Sequence, residues 1–566
     1  MKLRLTAIIG VIGIYLVSFA GVAEIEDFVP ATDEVLRNPN PEDWVMWRRT
    51  YDSVGHSPLD QINRGNVGGM QLAWAYSLRP GDSQPEPLVY NGVMYIVHPG
   101  DVITALDAAT GDFIWEYERD LPDDARARQS RSISIYEDKV IHATSDAHII
   151  ALDARDGRLV WESVVADYTQ GYGYTSGPLV ADGAVIAGMG GCTGLYEESC
   201  FITAHDVETG EELWRTFTIA RPGEYGGDTW GDLPFFARGG GDAWITGSYD
   251  PELRLVYWGI QQAKPWARVT RGTDGDALYT DSTVALDIDT GEIVWYHQYQ
   301  PGETLDIEEP FEPILIDVDG RMSLYNMGKL GILWNIDRET GEFVNHFDLG
   351  YQDVIEQVDP QTGRTTYRPD AIPEVGVEVE VCPHVAGFKS WRAMSYNSAM
   401  DAFYIPLRLA CGTFITEDTI DFVEGGGGVG APWSAFEVFY HPDSEESIGE
   451  FIAMDRATGE VLWRQRQRAP FHTSALSTDG DLVFVGDWAR FFNAYDSETG
   501  ELLWRTRLSS SPHGSPITYG TDGKQYVAVP VGYGWIWAQG MESLAPEVTP
   551  PPDGNAIYVF ALPDSE

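Results

Sequence analysis

The run LDIEEPFEPILID, from Leu305 to Asp317, sets Asp306 and Glu308 two residues apart. In an extended or turn segment such a pair projects to one side, where two carboxylates can share one cation. The plain alternative is a solvated acidic loop, since Asp306, Glu308 and Glu309 belong to a chain of net charge −50. A second candidate is GGGDAWITGSYDP, Gly239 to Pro251. Its three glycines clear space for a close approach, and Trp244 offers a flat apolar face beside that space. A third is Lys329 in MGKLGILWNIDRETG, flanked by glycine and apolar residues rather than by the polar neighbours of a surface lysine. Cys192, Cys200, Cys382 and Cys411 complete the reactive inventory. Four cysteines allow three pairings, and we expect Cys192 with Cys200 and Cys382 with Cys411. No Cys-x-x-Cys-His run is present, so the chain holds no covalent haem of its own.

These residues need a large scaffold, and 566 residues exceed one ordinary single-core domain. With 60 Gly, 33 Pro and 19 Trp, the chain is too punctuated for a helical protein, and 43% apolar content is too high for a disordered one. The excess of 87 acidic over 37 basic residues repels phosphate backbones and anionic lipid, which excludes nucleic acid as a partner. Lys2 and Arg4 precede an apolar run from Leu5 to Val22 that ends in small residues. This is the order of a secretory leader, and we place cleavage after Ala23, leaving residues 24–566 as an exported chain without a membrane segment. An uncleaved anchor is the competing reading, because the run is about long enough to span a bilayer.

One phrase recurs along the sequence. It reads ALDAATGDFIW at Ala105–Trp115 and ALDARDGRLVW at Ala151–Trp161, with further copies starting at Ala204, Ala285, Ala453 and Ala494. A seventh copy, NIDRETGEFVN at Asn335–Asn345, lacks the tryptophan. Each copy predicts a strand, a tight turn with glycine at positive φ, and a second strand, and most follow another alternating strand pair such as PLVYNGVMYIV, Pro87–Val97. Two hairpins make a four-stranded blade. The Asp-to-Asp spacings are 46, 53, 81, 50, 118 and 41, and the gap of 118 between Asp337 and Asp455 has room for an extra blade around Met400–Leu407. With Ala556–Leu562 as a last strand, the reading is an all-β, eight-bladed β-propeller. Its repeated tryptophans pack between neighbouring blades, and the two longest gaps supply the loops of a site.

The repeated phrase, with the segment WRRTYDSVGHSPLDQINRGNVGGMQLAW at Trp47–Trp74, resembles the pyrroloquinoline quinone (PQQ)-dependent alcohol dehydrogenases of the methanol and ethanol dehydrogenase type. The resemblance runs from about Trp44 to Leu562. It implies a planar quinone with three carboxylates, which needs cations, flat faces and a metal to polarise its carbonyl. On that basis Trp244 is the floor under the ring, Arg131 a contacting arginine and Lys329 the cation beside the quinone oxygens. Gln84, Thr175, Gly190, Gly191, Ser390 and Trp391 fall on further contact positions. Asp306 is implied as the general base that takes the alcohol proton while hydride passes to the quinone, with Glu308 beside it at the metal.

Several positions depart from the pattern. The family's metal-binding glutamate aligns with Thr193 in GMGGCTG, and its asparagine ligand with Gln262. Glu308 restores a negative charge, as in lanthanide-using members, so the implied ion is Ca²⁺ first and a lanthanide second. The family's adjacent cysteine pair would fall near Ala125 and Arg126, where there is none; Cys192, if bonded to Cys200, takes part of that place. The expected function is periplasmic oxidation of an alcohol, a bulkier or secondary alcohol, a polyol or a sugar being open, with electrons passed to an external cytochrome c. The alternative is a non-catalytic propeller scaffold, which the loss at Thr193 favours and the combination of Trp244, Lys329 and Asp306 opposes. Glycoside hydrolysis is disfavoured, because the scattered carboxylates form no acid pair.

Overall fold

The computed structural model of the chain describes residues 25, 27–417, 420, 422–426, 433–534 and 540–564. The leader expected over residues 1–23 lies outside the described residues. Strands dominate, and no described helix is long and apolar enough to cross a membrane. Eight sheets, each with at least four strands, occupy residues 88–118, 134–164, 179–217, 248–298, 314–348, 395–467 and 476–507, and a last one built from both ends of the chain. In that last sheet Gln71–Ser77 pairs with Ala556–Ala561, which pairs with Lys524–Gly532.

The seven sequence copies form the third and fourth strands of the first seven sheets. Among the described residues, the gap of 118 therefore contains no extra sheet of this kind. Ala402–Arg408 pairs with Ser395–Asn397 and with Gly449–Asp455, so the stretch expected to form its own blade belongs to the sheet of the copy at Asp455. The other described residues of the gap include a two-stranded hairpin and a three-stranded sheet.

Local chemistry explains why the phrase repeats. In the first copy the carboxylate of Asp107 accepts from the backbone N–H groups of Ala109 and Thr110 and from the Thr110 hydroxyl, at 2.9, 2.9 and 3.1 Å. Aspartate thereby satisfies the donors that the turn leaves over, and Gly111 takes φ 76° at no steric cost. The same Asp–Thr bonds recur at Asp206, Asp287, Asp337, Asp455 and Asp496. They also recur at Asp359 with Thr362, a further copy of the turn in the inserted hairpin, where the flanking residues depart from the phrase.

Each glycine has a second constraint. A Cβ on Gly157 would stand 2.5 Å from Trp115, the tryptophan of the preceding sheet, whose indole N–H donates to Ala154 O at 3.0 Å. Trp161 lies likewise over Gly210, Trp214 over Gly291, Trp295 over Gly341 and Trp463 over Gly500. Where the copy at Asn335 lacks tryptophan, the ring of Phe347 covers Gly459 instead.

In six of the first seven sheets the first strand is an edge, yet it is buried: Leu88–Tyr90, Ser134–Tyr136 and Leu179–Ala181 are buried throughout, whereas the fourth strands are largely exposed. Buried edges without a strand partner must face one another. Hydrogen bonds between the segments just before these strands run in a circle. Glu86 N reaches Arg131 O at 2.7 Å, Arg131 Nη1 reaches Thr175 O at 3.1 Å, and Thr246 Oγ1 reaches Gly177 O at 2.9 Å. Ser248 Oγ donates to Pro313 O, Met394 N to Glu312 Oε1, and Ala393 N to Ser474 Oγ. Ser515 closes the circle, its hydroxyl on Ser474 Oγ at 2.9 Å and its N–H on Pro85 O at 3.0 Å.

Candidate active site

One residue from each sheet recurs at the same place, three or four positions ahead of the first strand: Gln84, Arg131, Thr175 and Trp244 from the first four sheets, then Phe311, Trp391, His472 and His513. Several touch. The Arg131 guanidinium carbon is 4.5 Å from the centre of the Trp244 ring, and Trp244 meets Phe311 edge to face at 5.7 Å. Trp391 packs in one apolar cluster with Ile245, Phe311 and Trp244. On its other side it meets His513 at 5.2 Å and His472 at 6.2 Å, and the two histidines stack at 4.7 Å. Five of the eight positions are legible through the family resemblance. Phe311, His472 and His513 are not, and the signal that finds them is positional: the residue just ahead of each buried first strand.

The walls are held from behind. Ala243 N bonds Met189 O at 2.9 Å and Gly240 N bonds Cys192 O at 3.0 Å, so the segment carrying Trp244 lies against the run Gly188–Gly194. Gly190 pairs with Gly173, and a Cβ on Gly191, at φ 75°, would strike Gly171 O and the Arg128 guanidinium. Cys192 is bonded to Cys200, and Cys382 to Cys411, as expected. Thr193 N donates to Gly191 O at 2.8 Å.

The acidic segment is the second half of the site. Asp306 sits at φ 59°, a left-handed conformation that side chains other than glycine rarely adopt, and buried carboxylates fix the backbone around it. Glu303 accepts from Leu305 N at 2.6 Å and Ile307 N at 3.0 Å, and Asp281 accepts from Glu309 N at 2.8 Å. Glu309 in turn takes Leu330 N and Trp334 Nε1, both at 2.7 Å. Lys329 enters from the turn between the strands Arg321–Met327 and Ile332–Asp337. Its ammonium donates to Glu308 Oε2 at 2.7 Å and to Asp306 O at 2.6 Å, and lies 3.5 Å from Asp306 Oδ1. Phe311, three residues beyond Glu308, joins this half to Trp244.

Burial dominates the electrostatics. It raises the Asp306 pKa well above the usual carboxylate range, with Glu308 adding to the rise and Lys329 opposing it. Burial works to lower the Lys329 pKa, but Asp306 and Glu308 more than offset this and hold it above its ordinary value. Asp281 and Glu303 are raised too, first by burial, and Glu309 is pushed up to about 8. Three carboxylates, Asp306, Glu308 and Glu303, thus act on the one Lys329 ammonium, and Asp281 Oδ2, Glu303 Oε2 and Gln262 Oε1 have no hydrogen-bond partner among the described residues. Gln261 O accepts from Asp281 N at 3.1 Å, which brings this glutamine pair beside the cluster. An excess of buried oxygen donors of this kind fits a hard cation such as Ca²⁺ or a lanthanide.

The ring of eight has complementary needs. Both amide atoms of Gln84, Ser390 Oγ and Arg131 Nε are buried without partners among the described residues. Burial pushes Arg131 down to about 9, with Asp82 opposing the fall. Flat indoles, an unpaired guanidinium N–H and orphan amide and hydroxyl groups fit a planar ligand bearing several anionic oxygens, which is the chemistry of PQQ.

Residues 44–348 and 449–527 match the glucose/ethanol/alcohol dehydrogenase β-propeller domain of the PQQ family. The quinoprotein alcohol dehydrogenase PedH of Pseudomonas putida is 30% identical, the alignment covering 94% of this chain and 93% of that protein. The dehydrogenase subunit of an alcohol dehydrogenase (quinone) from Gluconacetobacter polyoxogenes is 32% identical over 93% of this chain and 77% of its own. Among solved structures, a europium-containing methanol dehydrogenase superposes with a TM-score of 0.84 at 26% identity, covering 94% of this chain and all of that one. The quinohemoprotein alcohol dehydrogenase ADHIIG of Pseudomonas putida gives 0.83 at 30% identity, covering 95% of this chain and 83% of that one. With more than half of its length matched and the ring and acidic segment in place, this chain belongs to the PQQ-dependent alcohol dehydrogenase β-propeller family.

Proposed function

We propose that this protein is a periplasmic quinoprotein dehydrogenase that oxidises an alcohol to its carbonyl. The eight sheets are read as the blades of one propeller over residues 24–566, locked by tryptophans docked on the turn glycines of the next blade. PQQ when bound supplies the hydride acceptor, and a hard cation, Ca²⁺ or a lanthanide, supplies Lewis acidity at its carbonyl. Trp244 is the stacking floor, and Arg131, Gln84, Thr175, Gly190, Gly191, Ser390 and Trp391 orient the cofactor. Asp306 and Glu308 are the anionic ligands of the cation, with Gln262 and Thr193 as neutral ones.

Asp306 is the general base. Its burial makes it a stronger base than a solvated aspartate, and Lys329, donating to its carbonyl oxygen and standing 3.5 Å from Oδ1, fixes its direction. The aromatic wall of Trp244, Phe311 and Trp391 keeps water from the reacting carbon. The absence of Cys-x-x-Cys-His from the sequence supports electron transfer to a separate cytochrome c. The altered metal loop at Thr193 and the missing cysteine pair support a substrate bulkier than the small primary alcohols, a secondary alcohol, polyol or sugar. The observation that carries the reading is the Lys329 ammonium held between Asp306 and Glu308, with Phe311 linking that site to the Trp244 plate.

The test is reconstitution. Purified apoprotein given PQQ with Ca²⁺ or La³⁺ reduces an artificial electron acceptor when supplied with a suitable alcohol, and needs both additions to do so. Absence of bound quinone absorbance and of dye reduction with every alcohol and either metal would leave a scaffold.

A further inference from the structure

Arg392 follows Trp391 in the ring and belongs to no sequence motif. Its side chain is 1% exposed. None of its three guanidinium nitrogens has a hydrogen-bond partner among the described residues. Arginine cannot shed its charge at any ordinary pH, so a buried guanidinium without an acceptor is among the least favourable states a side chain can hold. Other buried cations of this protein are answered: Lys389, three residues earlier, donates to Glu312 at 2.8 Å, Lys264 to Asp242, and Lys329 to Glu308. Among the described residues no carboxylate acts on Arg392, and burial pushes it down to about 10.

The groups around it do not answer it either. Trp391 presents its ring 5.9 Å from the guanidinium carbon. Arg408, His384, His472 and His513 feel its charge, and it lowers the pKa of each histidine; His513 stands at about 3, chiefly through burial, and His472 well below its ordinary value. Both histidines are therefore neutral, and His513 has both ring nitrogens free of hydrogen bonds among the described residues. A planar fork of N–H donors and two neutral imidazoles gather around the Trp391 indole, which packs in one cluster with Trp244, and together they are complementary to a carboxylate.

We propose that Arg392, with His472 and His513 beside it, receives a carboxylate carried by a ligand bound in the ring. The inference rests on the dehydrogenase reading for the ligand's identity. Two sources share the chemistry: one of the carboxylates of PQQ, or an acidic group on the alcohol substrate, as in a hydroxy acid or a sugar acid.

The experiment compares wild type with Arg392→Gln and Arg392→Lys. PQQ affinity is read from quenching of tryptophan fluorescence in the apoprotein, and kcat/KM of the reconstituted enzyme is read for butan-1-ol and for 4-hydroxybutanoate. If the cofactor is the source, Arg392→Gln weakens PQQ about tenfold or more and Arg392→Lys less. If the substrate is the source, PQQ affinity is unchanged and the preference for 4-hydroxybutanoate over butan-1-ol falls about tenfold or more. In either case the ligand-free Arg392→Gln protein melts higher than wild type, because an unpaired charge has been removed; a merely structural arginine gives the opposite sign. Unchanged PQQ affinity together with an unchanged substrate preference overturns the proposal, as does a lower melting temperature of the apoprotein. If PQQ binds neither form, the dehydrogenase reading fails on its own. The pocket is then judged by acetate, which raises the melting temperature of wild type more than of Arg392→Gln, and equal shifts reject it.

Discussion

A single methyl group placed on Gly157 tests the interlock between neighbouring sheets. Gly157 takes φ 73°, and its Cβ would stand 2.5 Å from Trp115 Cε3. The backbone strain of alanine there is about 1–2 kcal/mol. The clash with a ring that is itself anchored through Ala154 O adds about 1–3 kcal/mol of overpacking, for a total of about 2–5 kcal/mol. Gly183 is the matched control: its φ is 79°, but no heavy atom lies within 4 Å of its Cβ position. Gly183→Ala should cost only the strain, about 1–2 kcal/mol. Urea unfolding of the two variants, followed by tryptophan fluorescence, gives the difference directly. In a Trp115→Ala background the clash has nothing to strike, so Gly157→Ala should then cost no more than Gly183→Ala. Equal costs for the two glycines in the wild-type background, or no coupling to Trp115, would refute the interlock.

Three further outcomes follow from the site and the core. Asp306→Asn should lower kcat by about 10²–10⁴-fold while leaving PQQ affinity, read by fluorescence quenching, within about twofold. Lys329→Met strands Asp306 and Glu308 and should destabilise the apoprotein by about 3–5 kcal/mol, with added Ca²⁺ recovering more stability than it adds to wild type in a thermal melt. Asp43, raised by burial from 3.8 to about 6, holds a proton in the folded chain between about pH 4 and 6 that the unfolded chain has released. Its stabilising share is therefore full below pH 4 and lost as pH rises through 6. Asp43→Asn should melt like wild type at pH 4 and be more stable at pH 8, by at most about 3 kcal/mol.

The repeat is readable because its chemistry is local. An aspartate that accepts its own turn's N–H groups and a glycine at positive φ leave the same mark wherever they occur, which is why seven hairpins stand out from the amino-acid sequence alone. The extra blade expected in the gap between Asp337 and Asp455 fails because sheet membership is not local. Ala402–Arg408 has the apolar pattern of an inner strand, but its partner Gly449–Asp455 lies beyond an inserted three-stranded sheet. The site divides the same way. Asp306 and Glu308 share a segment, and family resemblance brings Lys329, Arg131 and Trp244 to them. Arg392, His513 and Asp281 carry no motif, and their meaning lies in what is missing around them: a guanidinium, an imidazole and a carboxylate oxygen buried without partners among the described residues.

The central claim is that eight pre-strand residues form one binding ring around a quinone, with the acidic segment at its edge. A crystal structure of apoprotein reconstituted with PQQ and Ca²⁺ tests it most directly. The account predicts the quinone plane lying parallel to the Trp244 indole, with electron density for an ion in contact with Asp306 and Glu308. Quinone density outside the ring, or a ring filled only by water at saturating PQQ, would contradict it.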